Sequence, residues 1–170
     1  IFSKLLENRI IFINGEINDT LSNLVISELL YLDSINTNDI EIYINSPGGS
    51  VTSGLAIIDT MNFIKSDVRT IVTGLAASMA SIILASGTIG KRASLKNSEI
   101  MIHQPLGTSI GQATDIEIQA KRIVSKKKLI NKMLSDLTKQ SIKKIERDTE
   151  RDKFFTSTEA LEYGLIDTII

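Results

Sequence analysis

The alternation of short β-branched runs with segments of helical periodicity constrains the fold of this chain more than any other feature. The runs Arg9–Ile13 and Asp39–Ile44 are rich in isoleucine, which is typical of strands. Between them, apolar residues recur at helical spacing within Thr20–Ile35. Further strands are predicted over Val68–Thr73 and Glu99–His103. This order predicts a mostly parallel sheet covered by helices, which is an α/β fold.

Two capping-box patterns predict where helices begin in the second half of the chain. Thr114–Glu117 has a hydroxyl followed three residues later by a carboxylate, which predicts a long helix running to about Lys139. Thr156–Glu159 has the same spacing and predicts a short helix that Gly164 ends. A last strand is expected over Leu165–Ile170.

Composition excludes several kinds of site. The chain has no cysteine, so it has no disulfide, no thiolate nucleophile and no cysteine-bound zinc. His103 is the single histidine, which rules out a metal site built from several histidines. The 19 basic and 20 acidic residues give a formal net charge of −1, so no basic field attracts nucleic acid or an anionic membrane. We therefore expect no metal, no nucleic-acid partner and no membrane partner.

A segment of small residues, Gly74–Ser81, lies between a predicted strand and a predicted helix. It places Ser78 at a helix N-terminus, where free amides and the helix dipole stabilise negative charge. A serine nucleophile needs such surroundings because its tetrahedral intermediate carries an oxyanion. The same pattern is typical of a serine that only caps a helix, and the segment alone favours that structural interpretation.

His103 stands at the end of an apolar strand, where its side chain can emerge from the sheet into a cleft. Imidazole is the usual base for a serine hydroxyl because it exchanges protons near neutral pH. A lone histidine is more often structural, yet in a serine–histidine mechanism no other residue of this chain can be the base. The turn Asn45–Val51 carries two glycines that allow close backbone approach to a ligand, although an ordinary turn explains it equally well.

A serine–histidine pair needs an acid that orients the imidazole. Three candidates, Asp148, Glu150 and Asp152, cluster before the pair Phe154–Phe155. Their spacing does not choose among them.

These segments occur together and in a specific order, and on them the chain resembles the ClpP family, the proteolytic subunits of the Clp protease, over essentially its full length. The motifs that carry the resemblance are Tyr43–Val51, Gly74–Met79, Met101–Gly107, Glu146–Phe154 and Glu162–Asp167. Each motif is modest alone, and together they are highly specific.

The resemblance implies a serine endopeptidase that hydrolyses unfolded proteins inside a ring-shaped compartment, without a metal or an organic cofactor. Ser78 would be the nucleophile, His103 the base and Asp152 the orienting acid. The amides of Gly49 and Met79 would form the oxyanion hole. The substrate would be bound as an added strand. The residues implied in substrate binding are Gly48, Gly49, Ser50, Val51 and Leu106.

The resemblance also implies a fold and an assembly. The fold would be the crotonase-like ClpP fold of repeated ββα units, in a single domain over 1–170. Its protruding handle, at about 108–139, would present an apolar stripe to another subunit. Subunits would form two stacked heptameric rings fed by an AAA+ Clp unfoldase, with Glu150 and Arg151 at the ring–ring interface. The N-terminal segment that forms the family's axial loops is expected to lie outside this sequence.

Three other functions agree less well with the sequence. A non-catalytic, ClpR-like structural ring subunit usually lacks at least one triad residue, whereas all three are present here. A crotonase-type acyl-CoA enzyme would not require the serine, histidine and acid segments together. A serine–lysine signal-peptide peptidase is disfavoured by His103 and by the lack of a membrane anchor.

The amino-acid usage of the chain indicates in which cellular compartment the protein is expected. Isoleucine, asparagine and lysine are used heavily and arginine sparingly. AT-rich genomes often produce this bias, and the segment Ala76–Ser81 looks closer to plastid-type members of the family than to many bacterial ones. The resemblance therefore favours an organelle of bacterial descent, such as an apicoplast or chloroplast. A bacterial cytoplasm is the alternative.

Overall fold

The computed structural model describes residues 1–170, and a seven-stranded, mostly parallel sheet forms its centre. The strands are β1 (Ile10–Asn14), β2 (Ile40–Ser46), β3 (Val68–Ala77), β4 (Arg92–Ser94), β5 (Glu99–Ile102), β6 (Lys153–Thr156) and β7 (Thr168–Ile169). The helices are α1 (Phe2–Glu7), α2 (Asp19–Ile35), α3 (Val51–Phe63), α4 (Met79–Ala85), α5 (Ala113–Thr138), α6 (Ile142–Asp148) and α7 (Ser157–Tyr163). The predicted α/β class is confirmed.

The first two strands bury every second side chain, as the two-residue period of a strand requires. Their parallel register sets Ile11 beside Ile42 and Ile13 beside Ile44, and all four are buried. These isoleucines form one layer of the core. Helix α2 packs on β1 and contributes its buried apolar residues Val25, Leu29 and Leu32.

Strand β3 is longer than predicted and changes partner along its length. Its first half pairs with β4, where Thr70 lies beside Arg92, and its second half pairs with β5, where Ala77 lies beside Met101. Between the two halves Gly74 takes a φ of 84°, a conformation that other residues rarely adopt. Because parallel strands end at the same edge of a sheet, the carboxyl ends of β3 and β5 are neighbours.

Strand β6 was not predicted, and it pairs with β5 in antiparallel order. The register sets Ile102 beside Lys153. His103 follows that pair on one strand and Asp152 precedes it on the other, so the two residues become neighbours. Only Phe155 of the four residues of β6 is buried, which explains why no clear strand pattern is visible here.

One predicted capping box is confirmed and the other is wrong. Thr156 and Glu159 satisfy each other's free amides, and Gly164 ends α7 with a φ of 93°. In α5, by contrast, the N-cap is Gln112, and it makes no side-chain capping bond. Since α5 begins at Ala113, Thr114 already lies inside the first turn and cannot cap the helix.

The remaining differences concern short elements. Strand β7 comprises only Thr168–Ile169 instead of the predicted Leu165–Ile170, because Leu165 and Ile166 pack into the core directly after α7. Elements α1, β4 and α6 were not predicted. Each has seven residues or fewer, too few for a hydrophobic period to be visible.

Helix α5 is packed along only part of its length. Its buried residues, among them Ile130 and Leu134, all lie in the C-terminal part. Towards the N-terminus Ile116, Ile118 and Val124 are exposed. The predicted apolar stripe is therefore divided, and its C-terminal part belongs to the core of this chain. Neither α5 nor any other helix is long and apolar enough to cross a membrane.

A buried ion pair ties the ends of two helices to the sheet. Arg92 is 4% exposed and donates two hydrogen bonds to Asp167, at 2.8 and 2.7 Å. It also donates to the carbonyls of Ala85 in α4 and Leu137 in α5. Burial raises the pKa of the Asp167 carboxyl, but the hydrogen bonds and charge of Arg92 outweigh it and lower that pKa overall.

Asp167→Asn should therefore lower the free energy of unfolding by about 3 kcal/mol at pH 7, because it leaves Arg92 buried without its counter-charge. The folded pKa of Asp167 is depressed, so its stabilisation is complete above the unfolded pKa of about 3.9 and is lost as pH falls through the folded pKa. Urea unfolding followed by circular dichroism should show the difference from wild type shrinking in acid.

Asp136→Asn provides the matched control. Its ion pair with Lys132 is exposed on α5, so the loss should stay below about 0.5 kcal/mol. Equal losses in the two variants would contradict a special role for the buried pair.

Candidate active site

Ser78 connects β3 to α4 and adopts an unusual backbone conformation, with φ 55° and ψ −125°. Its amide is held by a hydrogen bond of 2.9 Å to the carbonyl of Met101 in β5. Its side chain makes no capping bond to α4, so the interpretation of Ser78 as a mere helix cap is wrong. The hydroxyl is consequently available for another partner.

That partner is His103. The Ser78 Oγ lies 2.7 Å from Nε2 of the imidazole, and Nδ1 lies 3.0 Å from Oδ1 of Asp152. A carboxylate can only accept, so Nδ1 carries the proton and donates to Asp152. Nε2 then presents its lone pair to the hydroxyl of Ser78. The structure thus brings three groups that are distant in sequence into one hydrogen-bonded row.

The three acidic candidates have different surroundings. Asp148 accepts hydrogen bonds from Lys144 and from the Tyr163 hydroxyl, while Glu150 pairs with Lys127 of α5 at 3.3 Å. Of the three, only Asp152 contacts His103. Spacing could not reveal this difference, because it depends on the pairing of β5 with β6.

The carboxyl of Asp148 is committed to its ion pairs. Burial raises its pKa, but hydrogen bonds from Lys144, Lys153 and Tyr163 outweigh burial. Together with the charge of Lys153 they hold the pKa of Asp148 well below its usual range.

Two glycines follow β2, and the backbone requires both. Gly48 has a φ of 94°, and a Cβ there would come within 2.7 Å of the Ala77 carbonyl and of the Ser78 Cβ. Gly49 has a φ of 152°, and a Cβ there would meet the backbone of Ile17. The Gly49 amide donates to no group of the chain, and the Met79 amide is the first of α4, where no intrahelical acceptor exists.

A groove with a volume of about 480 Å³ adjoins this edge of the sheet, within the usual range for ligand sites. Four of the residues predicted to bind substrate line it, namely Gly49, Ser50, Val51 and Leu106. Gly48 does not line the groove but packs against the nucleophile segment. A cavity of similar volume, about 510 Å³, lies between α1 and α2 and contains no nucleophile–base pair.

A second, much smaller pocket opens directly beside Ser78 and His103. Its other lining residues are Val51, Met79, Ile82, Pro105 and Ile130, all of them apolar. No group of three or more acidic or histidine side chains that could hold a metal comes together anywhere in the chain.

Sequence reasoning missed the contribution of Gln104. Its backbone N–H donates to the carbonyl of Thr149 at 2.7 Å, and its side-chain Nε2 donates to the carbonyl of Glu150 at 3.0 Å. Gln104 therefore ties the loop before Asp152 to the strand that carries His103. Only its position next to the single histidine could have pointed to it.

Arg151, predicted at a ring–ring interface, is exposed and makes no ion pair within the chain.

Comparison with known proteins gives a consistent result. The family model described as Clp protease matches residues 1–170. The ATP-dependent Clp protease proteolytic subunit of Ligilactobacillus salivarius (strain UCC118) is 56% identical over 171 residues, which cover 100% of this chain and 87% of that protein.

Gly48→Ala should displace Ser78 from His103, because the new Cβ would collide with backbone and with the Ser78 side chain. We expect the rate at which a fluorophosphonate probe modifies Ser78 to fall at least about tenfold, measured by mass spectrometry of the labelled peptide.

Gly90→Ala is the control for backbone strain. Gly90 also has a positive φ, 88°, but a Cβ there meets no atom within 4 Å. The Gly90→Ala substitution should cost about 1–2 kcal/mol of stability and leave labelling unchanged. A similar loss of labelling in both variants would mean that strain, and not the collision at Ser78, is responsible.

Proposed function

The chain belongs to the Clp protease family, and from this we propose that it is a proteolytic subunit whose catalytic triad is Ser78, His103 and Asp152. As a member of this family it is a serine-type endopeptidase of the bacterial type that works as an oligomer with a Clp ATPase. Membership of this family also confirms the fold class expected from the resemblance. The observation that carries the assignment of residues is the hydrogen-bonded row from Ser78 through His103 to Asp152.

The row supplies what acyl transfer needs. Nε2 of His103 takes the proton of the Ser78 hydroxyl as Oγ attacks the peptide carbonyl carbon. The imidazolium that forms is stabilised by the carboxylate of Asp152 and then gives the proton to the leaving amine. Water, activated by the same imidazole, hydrolyses the acyl-enzyme and restores Ser78. No metal or organic cofactor takes part in this mechanism.

The oxyanion of the tetrahedral intermediate requires donors that the chain does not already use. The amides of Gly49 and Met79 meet this condition, and Met79 directly follows Ser78. In this proposal they form the oxyanion hole, and loss of one such donor typically costs about 10²- to 10³-fold in rate.

The groove and the small pocket indicate how a peptide would bind. An extended substrate would lie along Gly48–Val51 on one side and Leu106 on the other, held by backbone hydrogen bonds that do not depend on its sequence. The apolar pocket beside Ser78 has a volume of only about 10 Å³, so it would have to widen to receive the side chain that precedes the cleaved bond. Such binding suits unfolded polypeptides of varied sequence, which a Clp unfoldase would deliver.

The assembly we propose is two stacked heptameric rings. The exposed apolar residues in the N-terminal part of α5 support a contact between subunits, because a monomer would leave them in water. Arg151 is exposed beside Asp152 and is free to pair with Glu150 of another subunit. Assembly would then bear on the position of the catalytic acid.

The ClpR-like structural subunit is the alternative from another functional class. No observation favours it, since the serine, the imidazole and the carboxylate are all present and in contact. An organelle of bacterial descent remains our proposal for the location, with a bacterial cytoplasm as the alternative.

A fluorophosphonate probe tests the triad. It should modify Ser78 alone, and labelling should be abolished in Ser78→Ala. Labelling and peptidase activity should also fall about 10⁴-fold or more in His103→Ala, because the chain has no second base. Ser27→Ala, which changes an exposed serine of α2, should label as the wild type does. Wild-type protein that assembles but is not labelled would favour the structural subunit.

Arg151→Ala tests the link between assembly and activity. We expect smaller particles by analytical ultracentrifugation and lower peptidase activity per subunit. Lys143→Ala removes an exposed cation of α6 that has no ion pair within the chain, and it should change neither. An Arg151→Ala protein with the particle size and activity of the wild type would refute the proposed interface.

A further inference from the structure

We infer that the ion pair between Asp148 and Lys153 is a positioning device that closes the loop Thr149–Asp152 and holds Asp152 against His103. This inference rests on the proposed triad. It assigns a role in the reaction to two residues that touch neither the nucleophile nor the base.

The pair spans the two ends of the loop. Asp148 is the last residue of α6 and Lys153 is the first residue of β6. Lys153 Nζ lies 3.0 Å from Asp148 Oδ1. The loop that carries the proposed acid is therefore bridged by side chains immediately before its first residue and immediately after its last.

Asp148 forms the fixed end of this bridge. Its side chain is only 6% exposed, and its Oδ2 accepts hydrogen bonds from Lys144 Nζ at 2.9 Å and from the Tyr163 hydroxyl at 2.8 Å. These donors come from α6 and α7, so two helices hold the carboxylate in place. The Nζ of Lys153 also lies 5.6 Å from the ring centres of Phe155 and Tyr163. At that distance the rings attract the ammonium group and add to its preference for this position.

Asp152, by contrast, has little support of its own. Its side chain is 60% exposed, and its one hydrogen bond goes to His103. An exposed carboxylate with a single partner keeps that contact only while its backbone stays within reach of the partner. The start of the loop is held by the hydrogen bonds of Gln104 to Thr149 and Glu150, and its end by the pairing of Lys153 with Ile102. The Asp148 ion pair retains Lys153 at that register.

The consequence for the reaction concerns geometry more than charge. If β6 shifts at its first residue, the distance between Asp152 and His103 Nδ1 grows, and the imidazole loses the partner that fixes its tautomer. A misplacement of about 1 Å can cost 10²-fold in rate. The ion pair should therefore affect the chemical step and leave the substrate groove, which lies on other elements, unchanged.

Lys153→Met tests the inference, because it keeps the length of the side chain and removes its charge. We expect kcat for a fluorogenic peptide to fall roughly tenfold while KM stays within about twofold. Lys153→Arg, which can still pair with Asp148, should restore kcat. Lys143→Met, on the exposed side of α6, is the matched control and should behave as the wild type.

Nitrogen NMR of the imidazole supplies a readout that does not depend on activity. His103 is the only histidine, so the ¹⁵N signals of labelled histidine need no assignment. In the wild type the proton should reside on Nδ1, and in Lys153→Met the signals should shift towards a mixture of tautomers. Tyr163→Phe, which removes only one hydrogen bond to Asp148, should produce the same change with smaller amplitude.

The outcomes separate this inference from the proposed function. Wild-type kcat and wild-type imidazole signals in Lys153→Met would overturn the inference and leave the triad intact. A wild-type protein without peptidase activity would count against the triad, while the imidazole signals would still decide whether the ion pair positions Asp152. If Lys153→Met does not fold, unchanged signals in Tyr163→Phe would overturn the inference.

Discussion

Strand β5 is hydrogen-bonded on both sides, in parallel order to β3 and in antiparallel order to β6. The alcohol of Ser78 follows β3, the imidazole of His103 follows β5 and the carboxylate of Asp152 precedes β6. A strand of four residues thus decides whether the three groups meet. A slip of one residue in either pairing would turn side chains to the opposite face and separate them. Two helices stabilise this register. Helix α4 holds the chain directly after Ser78, and α6 holds it directly before the loop Thr149–Asp152.

The contact between Ser78 and His103 could be anticipated from sequence, because both residues follow strands predicted to be parallel. Parallel strands end at one edge of a sheet, so the two side chains had a physical reason to meet. The glycines before α3 were also recognisable, since few other residues suit a turn with positive φ. Strand ends and glycine turns depend on the backbone preferences of neighbouring residues, so they can be recognised in the sequence. The catalytic roles of these residues remain a prediction.

Asp152 could not be chosen from the residues alone, because that choice depends on an antiparallel pairing between segments about fifty residues apart in sequence. Strand β6 is short and mostly exposed, so its hydrophobic pattern is weak. The resemblance to a family supplied what the pattern could not. The predicted start of α5 was wrong for a different reason: Thr114 and Glu117 fit a capping box, but the N-cap is Gln112, two residues earlier, in a stretch that is exposed and that no packing contact fixes. The division of the apolar stripe of α5 depends on which part reaches the core.

The backbone of Ser78 occupies a region that costs a residue with a side chain about 1–3 kcal/mol. The hydrogen bond to Met101 and the wholly buried helix α4 hold it there. The residue proposed as the nucleophile is thus also one of three non-glycine residues at which the folded backbone is strained. A lineage selected for thermal endurance alone would gain by replacing this serine with glycine. Under the proposed mechanism the hydroxyl of Ser78 is indispensable, so the cleavage of peptide bonds would oppose such a replacement.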